Sequence, residues 1–431
     1  MKKPFLPLVF AVFALLLSLS SCVSLPLRSA DEIPSYPEPE PVAADFMPTV
    51  PFSPEGYITK AAVQTDEDRR MFALDTVTPP PDPYSDVKVS LVAAGDNLIH
   101  PNIYIDAYSR GNAGKRYDFL PVYSDVADMI ASADIAFINQ ETVMAGADYG
   151  YSGYPCFNAP QELGCDLVTL GFDVVNIANN HMLDMGAHGL SDTIDFWHTQ
   201  PVTLIGGYTD ENDYAGLRIT EADGIKIAWL SYTFGTNGIT KSPSSDVVIP
   251  YIDDETILSD IARAKDASDF VIVSIHWGEE NTQTPTGEQR RLAELIANGG
   301  ADFILGHHSH ALQPIEWIHT DRKDVLCVYS LGNFISGMVR PVNLVGGLLS
   351  LDIVGDGKGG LTVDNILFTP TVFWYGMNWY GTHLYLLSDF TDRLASSHGL
   401  QIEGYKITTK TAREIVTDVI DAEYLPDYLR P

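Results

Sequence analysis

FVIVSIHW at residues 270–277 and DFILGHHSHALQ at residues 302–313 decide how this chain folds. Each is a short apolar run, rich in β-branched residues, that ends on histidine. Residues 287–298 lie between them and place Leu292, Leu295 and Ile296 on one helical face. Strand, helix, strand is the rhythm of α/β architecture. Working outward, the same apolar runs recur upstream as VKVSLVAAG (87–95), DIAFIN (134–139), DVVNIA (173–178), TLIGG (203–207) and IKIAWLSYT (225–233). Downstream come VLCVYSLG (325–332), GLLSLDIV (347–354) and LTVDNILF (361–368), and helical periodicity falls near 119–132, 161–170, 186–199, 255–267 and 287–298. Ten strands are many for one sheet. Two packed mixed sheets with helices outside accommodate them, an α/β (α+β) class for which about 300 residues is ample.

The polar residues fall at the carboxyl ends of these strands, the edge where ligands bind in open α/β sheets. Asp96 follows the first run, Glu141 the second, Asn180 and His181 the third, His276 ends FVIVSIH, and His308 and His310 follow FILGH. Taken singly, Asp96 reads as a turn or cap residue and His276 as a core histidine. Together they read as ligands. His308 and His310, at i and i+2 of an extended stretch, would project to the same side. Histidine nitrogen with carboxylate and amide oxygen, and no thiolate, favours one or two divalent ions of Mn, Zn or Fe. His181 and Asp184, at i and i+3, suit an imidazole acid steadied by a carboxylate, or else a capping aspartate beside a solvent-facing histidine. Asn97, Asn139, Glu279, Gln313 and Asn333, at or beside the same strand ends, are candidate substrate-binding residues. His100, His188, His198, His319, His383 and His398 are expected at surface or core positions.

Four segments are expected along the chain. Residues 1–22 read as an export signal: Lys2 and Lys3, an apolar run Phe5–Leu17, then Leu19-Ser20-Ser21-Cys22, which resembles a bacterial lipobox. Thirteen apolar residues are too few to span a bilayer. Lipidation at Cys22 would leave the protein exported and anchored to the bacterial membrane, periplasmic or at the cell surface. Residues 23–86 read as a proline-rich acidic tether, largely disordered, because twelve of the 27 prolines lie between Pro26 and Pro83. Residues 87–385 form the main domain and 386–431 an extension whose helix, KTAREIVTDVIDAEYL, packs on it. The formal charge of −31 argues against nucleic acid as a partner. The cysteines show no paired C-x-x-C spacing; Cys156 and Cys165 are open to a disulfide or to two free thiols.

GDN (95–97), NQE (139–141), NNHMLDMG (179–186), HWGEE (276–280), GHHSHALQ (306–313) and SLGNF (330–334), in that order, resemble the bacterial capsule-synthesis protein CapA family over about residues 88–340. That family is associated with poly-γ-glutamate capsule and resembles calcineurin-like metallophosphatases in fold. The resemblance implies a four-layer αββα sandwich. It also implies Asp96 as the first-motif aspartate, Glu141 as a metal-bridging acid, Asn180, His276, His308 and His310 as ligands, and His181 as the acid. Leu98 stands where metallophosphatases usually have a histidine, Asn139-Gln140-Glu141 replaces their Gly-Asp pair, and the aspartate of the Asn-His motif is displaced to Asp184. One of two metal sites is therefore expected to be weak or empty. The implied function is biosynthesis or processing of a surface polymer. A metal-dependent hydrolase-type site would cut or transfer an anionic polymer such as poly-γ-glutamate, with membrane synthase subunits as partners. The alternatives are a non-catalytic scaffold for polymer or synthase, and an exported phosphoesterase or nucleotidase.

Overall fold

The computed structural model describes residues 82–431, so Cys22, the signal-like segment and most of the expected tether lie outside the described residues. Among the described residues fourteen strands, β1–β14 in chain order, form two sheets. In the first, β1 (Lys88–Leu98), β2 (Ile135–Gln140), β3 (Val174–Asn176) and β4 (Thr203–Ile205) run parallel. On the other side of β1, β12 (Val345–Gly355), β13 (Leu361–Trp374) and β14 (His383–Leu386) continue antiparallel, while β11 (Asn333–Ser336) pairs with the end of β1. The second sheet is ordered β5 (Arg218–Ala222), β6 (Ile225–Thr233), β7 (Phe270–His276), β8 (Phe303–His307), β10 (Asp324–Leu331) and β9 (Leu312–His319). Its inner strands β6, β7, β8 and β10 are parallel. Strands β2, β7 and β8 are buried along their whole length. Only strands covered on both faces read as such continuous apolar runs.

The coverings can be named. Between the sheets, Phe137 of β2 stacks on Trp229 of β6, ring centroids 5.6 Å apart, in one core with Ile272, Phe303 and Leu305. On the far face of the second sheet, Val271, Val273 and Ile275 pack against Ile257 and Ile261 of the helix Asp254–Ala267 and Leu292 and Ile296 of the helix Gly287–Gly299. Those i, i+4 pairs are the apolar stripe that the sequence periodicity showed. Outside the first sheet, Ile103, Leu163, Leu167, Leu190, Ile194 and Trp197 come from the helices Pro101–Arg110, Glu162–Leu170 and Gly186–His198. The result is helix, sheet, sheet, helix, the expected sandwich. Among the described residues no helix is long and apolar enough to cross a membrane.

Differences from the sequence reading have physical causes. The helix Pro101–Arg110 was hidden because its buried face offers only Ile103 and Ala107 beside Asp106, which accepts from Thr382 N and Oγ1 and pairs with Arg110. Strand β9 was hidden by Pro314, which an edge strand tolerates and a central one does not. The terminal helix runs only Thr409–Thr417; Ala412, Ile415 and Val416 bury its inner face, and Ile420, Leu425 and Leu429 continue into the same core. Residues 119–132 split into a turn of 3-10 helix, Leu120–Tyr123, and a short helix, Ala127–Ala131.

Phe137→Ala should remove the ring that joins the sheets and cost about 3–5 kcal/mol. Chemical denaturation measures this, and a loss below about 1 kcal/mol would mean that the sheets are not held together at this point.

Candidate metal centre

The carboxyl ends of β1, β2, β3, β7 and β8 meet at one edge of the sandwich, and three donors arrive from each sheet. Asp96 lies at a register irregularity in β1. The preceding Gly95 is required by the close approach of the two chains there, since a Cβ would stand 2.0 Å from Gly332 O. Asp96 Oδ1 accepts from Asn139 Nδ2 at 2.8 Å. Asn139 Oδ1 in turn accepts from Asn176 Nδ2 at 2.9 Å, and Asn176 Oδ1 accepts from Ser231 Oγ of the opposite sheet at 2.5 Å. Asp96 Oδ2 accepts from His308 N at 3.2 Å and lies 3.1 Å from His310 Nδ1. Glu141 Oε1 is 3.5 Å from both His310 Nε2 and His276 Nε2. His276 Nε2 lies 2.8 Å from Asn180 Oδ1 and 3.1 Å from His308 Nδ1. Asp96, Glu141, Asn180, His276, His308 and His310 thus form one linked, fully buried cluster.

Whether this cluster fits a cation is answered by Glu141. Both of its carboxylate oxygens are buried with no hydrogen-bond partner among the described residues, which a carboxylate tolerates only at high cost unless a cation is near. Ligand atoms of Glu141, His308 and His310 lie within 4.8 Å of one another. The residues fit a divalent ion. Leu98, two residues beyond Asp96, is a buried apolar side chain and offers no donor.

His308 and His310 reach the centre by a different route from the expected pleat. They lie beyond the end of β8, with φ of +92° and +52°, so left-handed backbone rather than strand alternation aims both rings inward. Such conformations cost energy outside glycine and persist only where the surroundings enforce them.

Electrostatics set what a cation must displace. Burial pushes the Glu141 carboxyl well above the usual range, and the charge of Asp96 adds to this. Burial would also lower His310, but Glu141 and Asp96 outweigh it and raise the imidazole to about 10. Asp96 is held well below its usual value despite burial, through its bonds to His307 and His310. Burial lowers His276 strongly and His308 to about 3, and the neighbouring histidines add to both, so these rings are neutral donors.

Beside the cluster, His181 Nδ1 and Asp184 Oδ2 are 2.8 Å apart, and Asp184 also accepts from Phe157 N at 2.7 Å. The helix that follows has Met185 at its N-cap with no side-chain cap, so Asp184 serves the histidine and not the helix. Asp184 occupies Nδ1 and leaves Nε2 as the ring nitrogen directed elsewhere.

Four of the five expected substrate contacts are corrected to supports. Asn97 donates to Gln140 and accepts from Tyr123; Asn139 orients Asp96; Gln313 accepts from Gln289 and donates to Thr282 O; Asn333 Oδ1 accepts from His310 Nδ1 and its Nδ2 donates to Asn343 O. All four are buried with their amides committed, whereas Glu279 is exposed. Cys156, Cys165 and Cys327 are unpaired thiols. Three participants were missed. His307 is fully buried with Nδ1 3.5 Å from Asp96 Oδ1, although strand alternation assigns it to the face opposite His308. Phe234 is exposed over the rings of His276 and His308, at 6.3 and 4.5 Å. Asn237 accepts from Asn180 Nδ2 at 3.1 Å, and its signal was an Asn-Gly turn at 237–238.

Comparison with known proteins gives the family. The family described as Bacterial capsule synthesis protein PGA_cap matches residues 90–338. The PGA biosynthesis protein CapA of Bacillus subtilis (strain 168) is 35% identical over 171 residues, covering 39% of this chain and 44% of that protein. The Capsule biosynthesis protein CapA of Bacillus anthracis is 35% identical over 173 residues, covering 38% and 40%. The chain thus spans less than half the length of those relatives. Among solved structures, a putative 5′-nucleotidase from Staphylococcus aureus is similar with a TM-score of 0.42 at 15% identity, over 65% of this chain and 54% of that one.

A cation at this centre competes with the protons on His310 and Glu141. Mn²⁺ affinity should therefore rise at least about tenfold from about pH 6 to about pH 8, with proton release. Calorimetry in two buffers of different ionisation enthalpy measures both quantities; affinity independent of pH would exclude these ligands.

Proposed function

The chain belongs to the bacterial capsule synthesis protein family PGA_cap, and from that premise we propose that it builds or trims an anionic surface polymer of the poly-γ-glutamate class through a metal-dependent hydrolase-type centre. The observation that carries the reading is the unpartnered Glu141 carboxylate meeting His308 and His310 beside the His181–Asp184 pair. Glu141, His308 and His310, with Asp96, Asn180 and His276 around them, would hold one or two ions of Mn, Zn or Fe type. When bound, the metal polarises the scissile carbonyl and provides an activated water.

The chain's own residues do the rest. His181 holds a proton on Nε2 for the departing amine, since Nδ1 is engaged by Asp184. Asp184 accepts from Nδ1–H, so the ring that also carries the Nε2 proton is an imidazolium, which the Asp184 carboxylate orients and stabilises; Asp184 is itself fixed by Phe157 N. Phe234 covers the mouth over His276 and His308 and shields the reacting groups from bulk water. We also propose export with lipidation at Cys22, residues 23–86 as a spacer to the membrane, and membrane synthase subunits as partners. The basic, apolar and Leu-Ser-Ser-Cys pattern at the start of the sequence supports that location. Loss of labelled-lipid incorporation and release from membranes in Cys22→Ala would test the anchor.

With metal loaded, the chain should cleave poly-γ-glutamate in preference to a generic phosphodiester. His181→Ala and Asp184→Asn should lower kcat about 100-fold while metal content is unchanged. Polymer binding without turnover in metal-loaded protein would favour the scaffold alternative. The charge of −31 opposes approach of a polyanion, so KM should fall as salt is raised from about 20 to about 200 mM. A KM that rises with salt would show that attraction at the cationic centre, not the overall charge, governs approach of the polymer.

A further inference from the structure

An asparagine ligand has a problem that a histidine or carboxylate does not: its amide can turn by half a rotation and present nitrogen, which binds no cation, instead of oxygen. Asn180 faces this choice. Its Oδ1 lies 2.8 Å from His276 Nε2, and a ring nitrogen accommodates either amide atom depending on where its proton sits. The decision therefore falls to the other end of the amide, where Asn180 Nδ2 donates to Asn237 Oδ1 at 3.1 Å.

Asn237 is placed for this task by its own backbone. Ile239 N donates to Thr236 O at 2.8 Å, and the two residues between, Asn237 and Gly238, have φ of +52° and +75°. Positive φ at both central positions is the mark of a type I′ turn, for which Asn-Gly is a favoured pair. Thr236 anchors the turn by donating to Ile239 O at 2.6 Å and meeting Tyr251 Oη at 3.1 Å. The Asn237 amide nitrogen lies 3.4 Å from His181 Nδ1, so one side chain touches both the ligand set and the His181–Asp184 pair. Phe234, at the start of the same loop, lies over His276 and His308.

Resting on the metal-centre reading above, we infer that Asn237 is a positioning residue of the centre, holding the Asn180 amide so that its oxygen faces the cation. Asn237 is itself solvent-exposed, so its side chain can be deleted with little cost to the fold. Glycine and aspartate both keep the turn, because each tolerates positive φ. Asn237→Gly removes the acceptor. Asn237→Asp keeps it, and because a carboxylate has acceptors only, it enforces the same Asn180 orientation.

The test is Mn²⁺ binding by the full chain, measured by calorimetry, with metal-free melting as a control. Asn237→Gly should weaken Mn²⁺ binding about 10-fold or more, with the metal-free melting temperature within about 2 °C of the parent. Asn237→Asp should bind at least as tightly as the parent. In an Asn180→Asp background, where either side-chain atom is oxygen, Asn237→Gly should cost less than about 3-fold. Parent-like affinity in Asn237→Gly, or an equal loss in both backgrounds, overturns the inference. His308→Ala separates the two levels. If the parent binds Mn²⁺, His308→Ala does not and Asn237→Gly does so normally, only the role of Asn237 falls. If the parent binds no Mn²⁺, the metal centre falls and this inference with it.

Discussion

Two carboxylates and several imidazoles taken out of water at the rim of a sheet sandwich are the constraint on which the rest of this molecule depends. Asp96 is satisfied by neighbouring side chains and by a backbone amide, and its charge is shared with His310. Glu141 has no hydrogen-bond partner among the described residues, only the Nε2 atoms of His276 and His310 at 3.5 Å. Burying such a group without a partner costs several kcal/mol, on the order of the net stability of many domains. Protonation, which burial favours at Glu141, relieves part of that cost, and a cation entering from outside would relieve the rest.

The surroundings are organised for that event. The amide sequence Ser231, Asn176, Asn139 ends on Asp96 and leaves it little freedom to rotate. His310 is steadied from the other side by Asn333, whose Nδ2 also donates to Asn343 O. Left-handed backbone at His308 and His310 stores strain that the packed core must hold in place. Residues first read as substrate contacts prove to be this supporting frame, which is where a rigid site needs polar groups.

Much of this was legible in the sequence. Parallel strands put their carboxyl ends at one edge, so a list of polar residues following apolar runs is already a list of neighbours, and Asp96, Glu141, Asn180, His276, His308 and His310 followed from it. Periodicity found helices that bury several apolar residues even where Asp166, Thr193, Asp260 or Gln289 is buried among them, and it failed at Pro101–Arg110, whose buried face offers only Ile103 and Ala107 beside Asp106. It also could not place His307, because strand alternation says nothing about a chain that leaves the pleat one residue later. Asn237 was out of reach for a different reason: its partner Asn180 is 57 residues away, and only the fold brings a surface turn against a buried amide. Amide roles in general are invisible to pattern, since the same residue type faces a ligand in one place and a neighbour in another.

The division of donors between the two sheets has a mechanical meaning. Asp96, Glu141 and Asn180 ride on one layer, His276, His308 and His310 on the other, and elsewhere the layers are joined mainly by apolar contact, which resists separation better than sliding. An ion gripped from both sides works as a rivet, pinning the two layers in one register. A descendant that lost all chemistry would still have reason to keep the grip, because it would add to the packing and the Ser231–Asn176 bond that hold the two layers in register.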